Sequence, residues 1–200
     1  MKTISRVYDT YAQARNAVGD VEAAGIPSAD ISIVANKYVS EQYADVDDAS
    51  KASEGAGTGA GIGGVVGGGA GLLAGLGMLA IPGLGPVVAA GWLAALAVGA
   101  VAGAATGGIV GALIGSGIPE EHAHVYSESV RRGGTLVSAR VPDGEATRIQ
   151  GLLDRYKPID PVVRGADYRK SGWTTFDPSA PAYKPSQAEI ERIRRDDLAA

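Results

Sequence analysis

The chain has 200 residues, 46% of them hydrophobic, and a formal net charge of −4. This charge and the 6% share of aromatic residues provide neither the basic field nor the base-stacking surface that nucleic acid requires, so we expect no nucleic-acid partner. The absence of cysteine excludes disulfides, thiolate nucleophiles and zinc–thiolate sites, and it fits a cytoplasmic chain.

The charged residues are segregated along the chain. Positions 55–119 are 65 consecutive residues without Asp, Glu, Lys, Arg or His, so the 18 basic and 22 acidic residues all lie in the other 135 positions. Of the 30 glycines, 22 lie between positions 55 and 117. The flanks have the composition of a small α/β domain, whereas the centre requires a separate explanation.

Residues 1–37 predict the first half of an α/β domain. Residues 3–9 predict a strand, and residues 31–35 predict a second one. Between them, apolar residues at helical spacing lead to a C-capping Gly25; they are Ala14, Val18 and Val21. The opening residues lack the apolar core of a signal peptide, so we expect this domain in the cytoplasm. The acidic residues 38–54 predict a connector.

Residues 118–165 predict the second half of the domain. A helix beginning at Pro119 and ending at Gly133 carries charges that suit its dipole, Glu120 and Glu121 in the first turn and Arg131 and Arg132 in the last. Residues 135–141 predict a strand. Asp143 is expected to cap the next helix, whose apolar face consists of Ile149, Leu152, Leu153 and Tyr156.

A short last strand at 158–165 would complete the order β-α-β, insert, α-β-α-β. This order predicts an α+β fold class with a small ferredoxin-like α/β domain, interrupted by the glycine-rich insert. Each half is too small to bury a core alone, so the two halves must pack on each other.

Residues 166–200 predict a C-terminal arm. It opens as a proline-containing strap with three large aromatic residues, Trp173, Phe176 and Tyr183. A short helix is predicted from Ser186, because Ser186 and Glu189 form a capping-box pattern. The strap is either a loose tail or an arm whose aromatic side chains dock on their own domain or on a neighbouring subunit.

Three explanations compete for the glycine-rich centre, residues 55–117. A flexible linker would be polar, but the residues between the glycines are mainly Val, Leu, Ile, Ala and Met. A phosphate-binding loop is suggested by the G-x-G-x-x-G match of Gly59, Gly61 and Gly64. That match is weak, because 12 of the 27 residues at 55–81 are glycine and no predicted strand, Walker lysine or ribose-binding acid accompanies it. We therefore expect no cofactor, and no small-molecule substrate is identified.

The third explanation is a pair of contact helices, because glycine recurs at every fourth residue in both halves of the centre. The first row is Gly55, Gly59, Gly63, Gly67, Gly71 and Gly75; the second is Gly99, Gly103, Gly107, Gly111 and Gly115. On an α-helix such a row forms a groove into which another backbone packs. The rows predict a glycine zipper for helix packing and homo-oligomerisation.

Residues 81–86, IPGLGP, lie between the rows and predict a tight reversal. The centre then becomes a hairpin of two helices, 55–80 and 87–117, each long enough to cross the roughly 30 Å hydrocarbon core of a bilayer. The glycines weaken both helices, so the helices require packing partners. One interpretation inserts the hairpin into the bacterial inner membrane. A second is a cytoplasmic scaffold in which hairpins of many subunits form a common core, and a third is a pore-forming role.

Two flanking segments, together with the glycine-rich block between them, carry a family resemblance. Residues 4–36, ISRVYDTYAQARNAVGDVEAAGIPSADISIVAN, and residues 117–141, GIPEEHAHVYSESVRRGGTLVSARV, resemble the YflT-like general stress proteins of bacteria, also described as heat-induced stress proteins. The resemblance covers residues 3–160. It implies a stress-associated protein with a small ferredoxin-like domain split by a helical hairpin, and it supplies no catalytic residues.

The remaining candidates for chemistry are few. His122 and His124 are two residues apart on a predicted helix and point away from each other, so they do not form a metal site. Glu120 and Glu121 are more simply helix-dipole partners than a catalytic pair, and Ser127 and Ser129 have no recognisable general base. The sequence predicts a protein that is not an enzyme and has no catalytic, cofactor or metal site.

Overall fold

The computed structural model describes residues 1–36, 77–81, 85–93 and 108–180, with a few positions of the C-terminal arm (186–188, 191 and 195). In chain order the elements are β1 (Lys2–Tyr8), α1 (Tyr11–Ala23), β2 (Ile31–Asn36), β3 (Gly77–Ile81), β4 (Gly85–Ala90), α2 (Ile109–Gly115), α3 (Glu120–Arg131), β5 (Thr135–Val141), α4 (Ala146–Asp154) and α5 (Pro161–Lys170). The fold class is α+β, as predicted.

The five strands form one sheet in the order β1-β5-β2-β4-β3, and every neighbouring pair is antiparallel. Because β5 lies between β1 and β2 and is antiparallel to both, β1 and β2 run parallel to each other and α1 connects them. This is a split βαβ arrangement. Ser5 and Ser138 face each other across β1 and β5, and their hydroxyl oxygens are 2.7 Å apart.

Helices cover both faces of the part of the sheet formed by β1, β5 and β2 and create two apolar cores. On β2, Ile31 and Ile33 point into the core under α1 and α4, whereas Val34 points into the core under α2 and α3. All six β2 residues are buried, since a central strand covered on both faces has no solvent side. Residues from before and after the glycine-rich centre contribute to both cores. The predicted packing of the two halves is therefore confirmed.

The ends of α1 show why this segment is helical. Thr10 and Gln13 form a reciprocal capping box, and Gly25 follows the helix at φ +95°, a conformation that glycine adopts without strain. Glu120 and Glu121 lie in the first turn of α3, and Gly133, at φ +107°, follows its end. The predicted boundaries of these helices are confirmed.

Two predictions in the second half are wrong. Asp143 does not cap α4; it begins a 3-10 turn, and its carboxylate lies 3.4 Å from the amino group of Met1. Residues 158–165 do not form a strand, because Asp160 caps a helix there by accepting a hydrogen bond from the Val162 N–H at 2.8 Å. Pro161, whose φ suits a first helical turn, completes this start, and α5 continues past residue 165.

The predicted helical hairpin is also wrong at the two segments that flank its turn. Residues at 77–80 and 87–90 belong to strands β3 and β4, not to helices. A glycine-rich helix is intrinsically weak, whereas β4 gains a ladder with β2 from Asn36↔Val87 to Ile33↔Ala90. The reversal at 81–86 is confirmed, because Ile81 pairs with Gly85. Residues 37–76 and 94–107, with the acidic connector, lie outside the described residues.

The predicted second helix, 87–117, is interrupted at two glycines. Gly91 has φ +90°, and Gly108 has φ +83° with ψ −155°, so neither residue has a helical backbone conformation. Within the described part of this segment, helical residues are confirmed at 92–93 and in α2. In the arm, positions 187 and 188 are helical after Ser186, whereas Glu189 of the predicted capping box lies outside the described residues.

Candidate functional site

The outer side of β1, here called the β1 edge, is closed by the protein's own groups. Arg6 lies across it: its Nε donates to Asp154 Oδ1 at 2.7 Å and its Nη1 donates to the Ser5 carbonyl oxygen at 2.9 Å. The Ile159 N–H donates to the Val7 carbonyl oxygen at 2.8 Å. Two outward carbonyls are therefore occupied, and a charge lies on the strand. Both features keep a strand from pairing with another chain.

A cleft of about 180 Å³ lies beside this edge, between the start of β1 and α3. Arg6 and Tyr126 are among its lining residues. Burial works against the charge of Arg6, but the hydrogen bond and charge of Asp154 outweigh burial, so the pKa of the guanidinium lies above its ordinary value. Burial raises the pKa of Tyr126, so its phenol stays neutral. The described lining contains no nucleophile paired with a base.

The opposite outer side, the β3 edge, is of a different kind. β3 ends the order of the described strands and pairs only with β4, from Gly77↔Ala89 to Ile81↔Gly85. Its sequence, GMLAI, contains no charge and no proline. Among the described residues, none closes this edge as Arg6 closes the β1 edge. An uncharged strand edge without such protection is a template for pairing with a further strand.

The proline in β4 indicates which backbone groups of β3 point outward. Pro86 is opposite Ala80 and has no N–H, so this pair is the non-hydrogen-bonded kind of an antiparallel ladder. Since hydrogen-bonded and non-hydrogen-bonded pairs alternate, Leu79 exchanges hydrogen bonds with Val87. The backbone groups of Met78 and Ala80 are therefore directed to the β3 edge.

The chain leaving β4 is held firmly to the domain. A Cβ at Gly91 would lie 2.2 Å from the Ile31 carbonyl oxygen, so only glycine fits at this φ and at this distance. Leu93, two residues later, is fully buried in the core under α2 and α3. The close approach fixes the hairpin of β3 and β4 against β2.

A polar cluster strengthens the same anchor. The Trp92 indole N–H donates to the Asp30 carbonyl oxygen at 3.2 Å, and the Arg140 guanidinium lies over the Trp92 ring at 5.0 Å. Arg140 also forms an ion pair with the Asp30 carboxylate at 2.8 Å. Trp92 is thus held from both sides, and an isolated aromatic residue in the sequence does not predict this contact.

Two of the predicted zipper glycines lie within the described residues. Gly111 and Gly115 are one turn apart on α2, and a Cβ at Gly115 would meet no atom within 4 Å. The other nine lie outside the described residues: Gly55, Gly59, Gly63, Gly67, Gly71, Gly75, Gly99, Gly103 and Gly107. Helix packing along the two rows stays a prediction.

The strap after α5 packs on its own domain. The Trp173 ring meets the Tyr168 ring edge-on, with centroids 5.6 Å apart, and the Trp173 backbone N–H donates to the Tyr168 carbonyl oxygen at 3.1 Å. Phe176 is buried in the core under α2 and α3. These two residues therefore dock on their own domain, which is one of the predicted alternatives. Tyr183 lies outside the described residues, and docking on a neighbouring subunit stays a prediction.

A buried ion cluster at the end of α3 was not predicted. Glu128 is 1% exposed, and its carboxylate accepts hydrogen bonds from Arg131 at 2.6 and 2.8 Å and from Arg132 at 2.6 Å. Arg132 also lies over the Tyr168 ring at 4.6 Å, and the Tyr168 hydroxyl donates to Ser129 Oγ at 3.1 Å. The two arginines therefore neutralise a buried carboxylate, and Arg132 also contacts α5, besides both facing the helix terminus as predicted.

The histidines contact different partners. His124 Nδ1 is 3.0 Å from Thr175 Oγ1, and His124 Nε2 is 3.8 Å from a Glu120 carboxylate oxygen. The His122 ring instead lies near the Tyr126 ring, with centroids 6.5 Å apart. Within the described part of the chain, no group of three metal-ligating side chains occurs.

The serines and the second glutamate of α3 are already engaged. The hydroxyls of Ser127 and Ser129 donate to the carbonyl oxygens one turn earlier, each at 2.8 Å. Glu121 forms an ion pair with Arg169 of α5. These contacts are structural, and none of them aligns a nucleophile with a general base.

No helix within the described ranges has the length and apolar character needed to cross a bilayer. Comparison of the chain with protein-family models, with curated proteins and with solved structures gives no match. The resemblance to the YflT-like stress proteins therefore stays a prediction from the sequence.

Proposed function

We propose that this chain is a non-enzymatic, stress-associated bacterial protein that self-associates through its uncharged centre. The observation that carries the proposal is the β3 edge: an uncharged outer strand, within 65 residues that lack charge, fixed to a folded domain and without a protecting group among the described residues. The engaged serines, histidines and carboxylates of α3 support a binding or structural role over catalysis.

We assign the domain to the ferredoxin-like class within this proposal. The support is the split βαβ unit of β1, α1 and β2 around β5, with α1 and α4 covering the same face. The chain departs from that plan at two places. Helix α5 replaces the predicted last strand beside β1, and the hairpin of β3 and β4 extends the sheet beyond β2.

Assembly among copies is favoured over a membrane-spanning hairpin on grounds of length. The two halves share one sheet and lie on one side of any membrane, so the number of crossings is even. Leu93 is buried in the domain and Gly108 begins α2, which leaves 14 residues between them for a returning span. A helix of that length covers about 21 Å, less than the roughly 30 Å hydrocarbon core.

Membrane association stays the second candidate because of residues 55–76. These 22 uncharged residues would form a helix of about 33 Å, enough for one crossing or for insertion at the membrane surface.

Fractionation separates the two candidates. The chain is expressed without detergent, membranes are washed with carbonate, and the mass of the recovered protein is measured by light scattering. We expect an oligomer free of lipid in the unsedimented fraction. Extraction that depends on detergent would replace this proposal with membrane association, and a monomer at all concentrations would reject self-association. Survival of a deletion strain after heat shock tests the stress association.

A further inference from the structure

We propose that the β3 strands of two copies pair antiparallel about Leu79 and join the two sheets into one. This inference rests on the proposed self-association and names its contact. The partner is a second copy of this chain, and the contact is formed by backbone hydrogen bonds along the β3 edge.

The identity of the partner follows from charge. β3 has no charged residue, so two copies meet without electrostatic repulsion. Pairing of two β1 edges would instead bring Lys2 and Arg6 of one copy close to the same cations of the other, and like charges across strands are destabilising. The β1 edge is also closed at the Ser5 and Val7 carbonyls. Of these two edges, only the β3 edge suits a second copy.

The register follows from the outward groups. With Met78 and Ala80 directed outward, a two-fold axis at Leu79 places Met78 of one copy opposite Ala80 of the other, and the reverse. Each such pair exchanges two backbone hydrogen bonds, about four in total. Leu79 faces its own counterpart as a non-hydrogen-bonded pair, with Cα atoms about 4.5 Å apart.

The edge is preformed, which favours association. The close approach of Gly91 to Ile31 and the contacts of Trp92 with Asp30 hold β4 in place, and β4 positions β3. Pairing then orders few additional residues, so less conformational entropy opposes it.

Disulfide trapping tests the contact directly, because the chain contains no cysteine. In Leu79→Cys, mild oxidation is expected to convert most of the protein to a covalent dimer, since the distance between the two Cα atoms at position 79 of the paired copies suits a disulfide. The matched control is Thr3→Cys on the β1 edge, which is expected to stay unlinked. Met78→Cys alone is expected to crosslink poorly, whereas a mixture of Met78→Cys and Ala80→Cys yields the mixed dimer.

A second variant tests the contact without oxidation. Ala80→Pro removes an outward N–H that β4 does not use, so the hairpin is retained and pairing between copies is lost. We expect at least a tenfold weaker dimer, measured by sedimentation, with an unchanged circular dichroism spectrum. Ala80→Val, which keeps the N–H, is expected to dimerise like the native chain.

The outcomes separate this inference from the proposed function. If the native chain is oligomeric but Leu79→Cys does not crosslink and Ala80→Pro stays oligomeric, self-association stands and the β3 contact is rejected. A native chain that is monomeric at all concentrations rejects both. Crosslinking of Thr3→Cys as efficient as that of Leu79→Cys also overturns the β3 contact.

Discussion

The guanidinium of Arg6 and the carboxylate of Asp154 meet at 2.7 Å across the β1 edge, and Arg6 also donates to the Ser5 carbonyl oxygen. We predict that Arg6→Ala opens this edge. The unfolding free energy should fall by about 1 kcal/mol, because the pair is partly exposed, and particles larger than the native oligomer should appear in light scattering.

The control for this variant is Arg155→Ala. Arg155 pairs with Asp20 at 3.7 Å from a largely exposed helix position and contributes nothing to a strand edge. The Arg155→Ala variant should change the unfolding free energy by no more than about 0.5 kcal/mol, and it should leave the particle size unchanged. If the Arg6→Ala protein forms particles no larger than those of Arg155→Ala in light scattering, Arg6 does not protect the β1 edge.

Gly91 supports a second prediction, since a Cβ there would meet the Ile31 backbone. We expect Gly91→Ala to lower the unfolding free energy by about 3 kcal/mol or more and to detach β4 from β2. Urea denaturation measures the loss. Hydrogen exchange should show faster exchange at Ile33 and Ala35, whose backbone groups face Ala90 and Val88 of β4.

Gly117 provides the matched control, because it has a similar φ of +93° but open space around the position of a Cβ. Gly117→Ala should lower the unfolding free energy by about 1 kcal/mol, because alanine is strained at this φ but meets no neighbouring atom. Equal losses in the two variants would show that backbone conformation, and not the contact with Ile31, limits position 91.

The flanking elements were predictable because their local signals agree with their tertiary environment. Thr10 and Gly25 mark the ends of α1, and the pattern of strand 135–141 matches its two buried faces. Asp160 and Pro161 favour a helix over the predicted strand, because a capping residue followed by proline is a helix start.

Strands β3 and β4 were mispredicted as helix because the glycine period of the centre dominated the interpretation. Short apolar runs before and after Pro82, bounded by glycine and containing Ile81, Val87 and Val88, are also strand signals. The choice between helix and strand depends on the open side of β2, which is a tertiary feature. Glu128 was missed for the same reason, since its burial depends on how α3 packs.

Tyr8 supports a prediction for alkaline pH. Its side chain is fully buried, its hydroxyl donates to the Leu153 carbonyl oxygen at 3.0 Å, and burial raises its pKa above the ordinary 10.0. Above pH 10 the unfolded chain loses the phenolic proton while the folded chain keeps it. The stabilising effect is therefore complete below that pH and decreases above it, by about 1.4 kcal/mol per pH unit for each such phenol.

The Tyr8→Phe variant tests this linkage. It should be less stable by about 1 kcal/mol near neutral pH, because the Leu153 carbonyl oxygen loses its hydrogen bond from the Tyr8 hydroxyl. Its unfolding free energy, measured in urea between about pH 8 and pH 11, should then fall less steeply than that of the native chain. Parallel curves would show that Tyr8 ionises equally in the folded and unfolded chains.

Gly115 allows a test of the zipper within the described fold. A side chain at this position meets open space, so Gly115→Leu should leave the stability of the isolated domain within about 1 kcal/mol of native. If the second glycine row is a helix-packing surface, the same leucine fills the groove and weakens the oligomer. Gly151→Leu on α4, also surrounded by open space, is the control and should not affect the oligomer. Sedimentation measures the oligomer mass of both variants. Equal masses would show that α2 makes no contact between copies through Gly115. The β3 edge would then act without this part of the zipper.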